Sequence, residues 1–177
     1  MNKRLVLRLL GAILLIEALA MAPSLAISLL YGDGDALALL SSMALLAALG
    51  FPAWRFAHPR EQNLRAREGF LVVALSWVLL SAFGALPFVI SGLIPNYIDA
   101  FFEAVSGFTT TGATLMGNFD GLPRGVMFWR SFTHWIGGMG VLVLTLALLP
   151  QMTGRSSHLV RAESPGPSLS KIVPKMG

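Results

Sequence analysis

Four apolar runs divide this chain, over residues 5–30, 36–56, 70–93 and 126–149. Each is long enough to cross a bilayer, whose hydrocarbon core of about 30 Å takes about 20 helical residues at about 1.5 Å each. A soluble domain is excluded by the shortage of charge. Asp, Glu, Lys and Arg supply 12% of 177 residues while hydrophobic types supply 55%, about half the usual charged share, and mean hydropathy is +0.70. The expected fold is therefore all-α and polytopic, because a helix satisfies its own backbone polar groups where lipid offers no partner. The chain has no cysteine, which removes disulfides, thiolate metal sites and cysteine nucleophiles together. Its net charge of +4 is read as basic cytoplasmic loops, and no nucleic-acid partner is expected.

Charge placement sets the orientation. With the N-terminus inside, four spans leave residues 1–8, the loop 55–69 and the tail 151–177 in the cytoplasm. Those segments hold every Lys and Arg except Arg124 and Arg130, while Asp33, Asp35, Asp99 and Asp120 fall outside. Every loop obeys the positive-inside rule, so both termini are expected to be cytoplasmic. Ala18-Leu19-Ala20 has the small-residue pattern of a signal-peptidase site, but Glu17 precedes it and the apolar run continues to Leu30. An uncleaved first span is the expectation.

The segment 94–124, between the third and fourth runs, carries the functional information. From Ile98 to Phe108 it reads as a short apolar helix with Asp99 and Glu103 four apart on one face. That length is too short to span and suits a helix entering the membrane halfway. It runs into Thr109-Thr110-Thr111-Gly112-Ala113-Thr114. Threonine is a poor helix former and glycine reaches backbone angles other residues avoid. A short helix followed by such an extended run suits an ion selectivity filter, where backbone carbonyls replace a hydration shell. The plainer reading is an outer loop made of common loop residues.

Phe101-Phe102-Glu103-Ala104-Val105-Ser106-Gly107-Phe108-Thr109-Thr110-Thr111-Gly112-Ala113-Thr114 resembles the first pore loop of the Trk/Ktr potassium transporters, of the TrkH type. The likeness continues through Phe128-Trp129-Arg130-Ser131, Trp135-Ile136-Gly137-Gly138-Met139-Gly140 and Arg161-Ala162-Glu163-Ser164-Pro165-Gly166-Pro167. It implies a leading helix pair over 1–57, a basic loop over 58–69, a helix–pore loop–helix repeat over 70–150 and a basic tail over 151–177. Within the repeat, the pore helix would be 98–108 and the filter 109–114. The resemblance further implies that potassium is the transported ion and that no organic cofactor takes part. The coordinating carbonyls would belong to Thr110 and Thr111, with Gly112 as filter glycine and Thr109 and Ala113 flanking. It also implies a multi-pass protein of the cell inner membrane with a cytoplasmic nucleotide-binding regulatory subunit. The chain holds one such loop, and a filter of this type is a ring of four. Two arrangements stay open: self-assembly into a tetrameric ring, or union with the remaining repeats of a longer transporter. A non-conducting fragment or accessory subunit is the alternative function.

Several other residues carry two readings each. Arg130 and His134 sit one turn apart near the outer end of the last run; snorkelling of Arg130 to the headgroups and a helix hydrogen bond for His134 are preferred over ion contact. Gly137, Gly138 and Gly140 permit close helix packing first and a gating bend second. Glu17 is an acid within a span, costly unless paired or wet. A rival enzyme reading, a serine protease pairing Ser106 with His134, lacks the surrounding nucleophile motif and leaves the triple threonine without a role.

Overall fold

The computed structural model describes residues 2–57 and 66–142. The loop expected over 58–69 is described only from residue 66; the end of the fourth run and the tail over 151–177 lie outside the described residues. All regular structure among the described residues is helical: α1 Lys3–Ala20, α2 Ala22–Tyr31, α3 Ala36–Phe56, α4 Ala66–Gly84, α5 Leu86–Ile90, α6 Tyr97–Phe108, and α7 over 124–142. Met1–Gly138 forms one compact unit. The described residues of the second unit, 139–142, are helical.

Among the described residues three helical segments are long and apolar enough to cross a membrane: Lys3–Tyr31, Ala36–Phe56 and Arg67–Ile90. Two of them are broken, each next to a proline. Pro23 stands at the start of α2 and Pro87 at the start of α5. A proline lacks the N–H and crowds the carbonyl four residues back, so the preceding helix closes before it. In the second case Phe88 N–H turns to the Ala85 carbonyl at 3.2 Å, and the Gly84 carbonyl instead accepts the Trp129 indole N–H at 2.9 Å. A local break thereby creates a bond to α7, 45 residues further on.

Within the first unit α1 lies along α3 and also meets α4, while α6 rests on α4 and α5. The α1–α3 crossing is set by glycine on both sides. A Cβ on Gly11 would stand 2.7 Å from the Trp54 backbone N and 2.8 Å from the Gly50 carbonyl oxygen. Backbones approach this closely only where small residues face each other, the usual device where lipid is as apolar as the side chains. Gly11→Ala should therefore force the helices apart and lower the thermal midpoint of the detergent-solubilised chain, at about 1–3 kcal/mol.

The core beside α6 is aromatic. Phe88, Phe108 and Trp129 are fully buried, and Phe108 meets Trp129 edge-on with ring centroids 6.2 Å apart. Such a T-shaped pair adds about 0.5–1.5 kcal/mol to the burial of its rings. Glu17 is buried beside this cluster, and its carboxyl oxygens have no hydrogen-bond partner among the described residues.

Candidate functional site

The site begins with the start of α6. Asn96 caps it, its side chain accepting the Ile98 N–H at 3.0 Å, and Asp99 places an acid in the first turn, where the helix dipole favours it. The helix ends at Phe108, with Thr109 still near helical angles (φ −82°, ψ 0°). The chain then takes an unusual turn. Thr110 has φ 57° and Gly112 φ 76°, and Thr110 is the sole non-glycine of positive φ among the described residues. The sign of φ thus alternates from Thr109 to Gly112.

Such alternation gathers successive N–H groups to one side of the chain and leaves carbonyls toward the other. The hydrogen bonds follow that rule. Thr110 N–H donates to the Gly107 carbonyl at 2.9 Å, and Thr111 and Gly112 N–H both reach the Ser106 carbonyl, at 3.0 and 3.4 Å. Ser106 Oγ donates to the Ala113 carbonyl at 2.6 Å. Thr109 Oγ1 donates to the Val105 carbonyl at 2.7 Å and lies 2.8 Å from Thr111 Oγ1. The donors of this run are turned onto the end of α6, while Thr109 to Leu115 stay exposed. A β-branched residue in the left-handed region is strained by about 1–3 kcal/mol, which the surrounding bonds must hold in place.

Glu103, buried in the middle of α6, fixes the far end of the run. Its Oε2 accepts the Thr114 hydroxyl at 3.2 Å and the Leu115 N–H at 3.1 Å. Its Oε1 meets Arg130 Nε of α7 at 2.5 Å, with side-chain exposures of 14% for the arginine and none for the glutamate. Arg130 therefore does not extend toward the headgroups as expected. A buried carboxylate five residues before the helix end needs a charged partner, and Arg130 supplies it, its guanidinium also lying 5.6 Å from the Phe119 ring centroid. Charge spacing on α6 pointed to Glu103, but nothing in its neighbours identified Arg130 as the residue it would meet.

The three glycines of α7 separate clearly. A Cβ on Gly137 would stand 2.0 Å from the Phe108 carbonyl oxygen, whereas one on Gly138 would lie 3.8 Å from Thr110 Cγ2. Gly140 is half-buried in the helical residues 139–142. Gly107 repeats the close fit from α6: its Cβ would meet Thr133 Oγ1 at 2.1 Å. Ser106 and His134 share no hydrogen bond. The serine serves Ala113, and His134 Nδ1 lies 3.0 Å from the Arg130 carbonyl of its own helix. Among the described residues no group of three or more His, Asp or Glu could hold a metal ion. The oxygens offered by the loop itself are backbone carbonyls and threonine hydroxyls.

Comparison with known proteins gives a consistent answer. The family model described as TrkH, cation transport protein, matches residues 37–175. The Trk system potassium uptake protein TrkH of Halomonas elongata is 39% identical over 99% of this chain, and that of Vibrio parahaemolyticus 37% identical over 99%. The Trk system potassium uptake protein TrkG of Escherichia coli is 34% identical over 98%. The chain spans 37% of the length of the two TrkH relatives and 36% of TrkG. The crystal structure of the potassium transporter TrkH from Vibrio parahaemolyticus superposes with a TM-score of 0.79 at 38% identity, over 85% of this chain and 32% of that one. The resemblance carried by the pore loop and the motifs after it is borne out, and the chain belongs to the TrkH cation transport protein family.

Proposed function

We propose that this chain contributes one filter segment to a potassium-conducting path in the cell inner membrane. Four transmembrane helices, with α6 entering from the outer side as a re-entrant pore helix, place both termini in the cytoplasm. The ion is met by the carbonyls of Thr110 and Thr111, with Gly112 as the filter glycine and Thr109 and Ala113 flanking. The observation that carries this reading is the alternation of φ from Thr109 to Gly112 with the N–H groups spent on Ser106 and Gly107. That geometry leaves carbonyls to face an ion in place of water, and the exposure of the run leaves room for other loops to complete a ring. The names of the relatives, all potassium uptake proteins, support potassium as the ion. The ring is completed either by further repeats of a longer transporter or by three more copies of this chain, and a cytoplasmic nucleotide-binding subunit regulates the assembly.

A second reading is a non-conducting fragment or accessory subunit, favoured by the span of 37% of the relatives' length. Potassium and sodium uptake into proteoliposomes separates the two. A conducting assembly that contains this chain admits potassium in preference to sodium; no flux above empty vesicles leaves the fragment reading. Gly112→Ser is the filter test. It meets open space, nothing lying within 4 Å of its Cβ, so folding should change little while the φ of 76° becomes costly for a side chain. Potassium selectivity should fall or vanish, whereas Gly117→Ser, also in open space but without positive φ, should leave it intact. Unchanged selectivity in Gly112→Ser removes this loop from the ion path.

A further inference from the structure

The start of α7 has no cap of its own. The first N–H groups of a helix lack intrahelical partners, and Gly121-Leu122-Pro123 before it carry no side-chain acceptor. The partners come instead from the turn between α2 and α3, 91 residues earlier in the chain. Asp33 Oδ2 accepts the Arg124 N–H at 2.9 Å, and Asp35 Oδ2 accepts the Val126 N–H at 2.8 Å. Asp35 is 4% exposed, and its Oδ1 accepts the Ser28 hydroxyl. Gly125 fits into the same corner, where a Cβ would meet Ser28 Cβ at 2.6 Å and Asp35 Oδ2 at 2.7 Å. Arg124 closes the corner from outside, its guanidinium 4.2 Å from the Tyr31 ring centroid. A carboxylate at a helix N-terminus is favoured by the aligned peptide dipoles as well as by the hydrogen bond.

Helix α7 also carries Arg130, and Arg130 holds Glu103, which holds Thr114 and Leu115 at the end of the filter run. We infer that Asp35 is a positioning residue for the filter: the leading helix pair caps α7 in trans and thereby sets the height at which Arg130 grips Glu103. This rests on the filter reading above for its effect on ions, but not for its effect on the backbone. Asp33 has the lesser part, since its acceptor bond is exposed. The leading pair is then part of the apparatus that shapes the filter, in addition to being a membrane anchor.

Contact is not coupling, so the experiment reads the far end of the path. Residue-resolved hydrogen exchange is measured on the detergent-solubilised full chain for the parent, Asp35→Ala, Asp35→Asn and, as a surface control, Asp120→Ala. Asp35→Ala should speed exchange at Val126 about fivefold, the order that a lost helix cap produces, and should speed exchange at Leu115 as well. Asp35→Asn, which keeps one acceptor oxygen, should move both amides less, and Asp120→Ala neither. Faster exchange at Val126 with Leu115 unchanged overturns the inference, leaving a local cap. Faster exchange throughout, the α1–α3 crossing included, in both Asp35 variants also overturns it, since that is loss of the fold. In proteoliposomes where the parent assembly conducts, Asp35→Ala should lower the potassium-to-sodium uptake ratio and Asp35→Asn should restore most of it. A parent that passes no ion leaves the fragment reading, while the exchange result at Leu115 still decides the positioning.

Discussion

Gly137→Ala should abolish the native packing of α6 on α7, while Gly138→Ala one residue later leaves it intact. The added methyl at 137 would stand 2.0 Å from the Phe108 carbonyl oxygen, 2.7 Å from its carbon and 2.9 Å from its Cα. All three are backbone atoms, so no rotamer change relieves the overlap and the helices must separate. Overpacking typically costs about 1–3 kcal/mol, and contact against an unyielding backbone belongs at or above the top of that range. Replacing glycine by alanine inside a helix otherwise gains about 0.5–1 kcal/mol, too little to offset it. At Gly138 the nearest atom is a methyl 3.8 Å away, an ordinary contact, so only the gain remains and stability should hold or rise slightly. Thermal unfolding and limited proteolysis of the two detergent-purified variants check the contrast. Equal behaviour would mean that the close contact of α7 with Phe108 does not form.

The second large effect is expected at the buried ion pair. Arg130→Met leaves the Glu103 carboxylate buried with the Thr114 hydroxyl and the Leu115 N–H as its remaining partners. Removing one member of a buried pair costs about 3–5 kcal/mol, because the other charge stays desolvated. Glu103→Gln/Arg130→Met removes both charges and keeps an acceptor for Leu115, so it should be clearly more stable than Arg130→Met alone. The sign of that difference is the test, read as thermal midpoints in one detergent. A double variant no better than the single would show that the two side chains act independently. In a conducting assembly, Arg130→Met should also disturb ion selectivity, since Glu103 holds Leu115 directly.

The sequence by itself determined the material of this protein and the family it belongs to. Apolar run lengths require helices across a bilayer, since span is a count of consecutive residues and the need to satisfy the backbone in lipid is local. The breaks were not legible in the same way: Pro23 and Pro87 stand where two helices restart, but Pro52 lies inside the unbroken α3. Thr109 to Gly112 and the motifs around them identify the family, and Gly112 announces the backbone freedom that its φ of 76° uses. What only the tertiary structure decided is which distant groups meet. Arg130 has the length to reach the headgroups and, read alone, belongs there; it turns inward because α7 lies beside α6, which carries a buried acid. Asp33 and Asp35 read as an outer turn, yet they serve amides 91 residues away because α7 starts beside that turn without a cap of its own. Gly137 and Gly138 are equivalent in sequence and differ only in which one faces Phe108. Propensity, span and turn chemistry depend on near neighbours, whereas caps in trans, buried ion pairs and backbone contacts depend on the crossing of helices, which no single helix encodes.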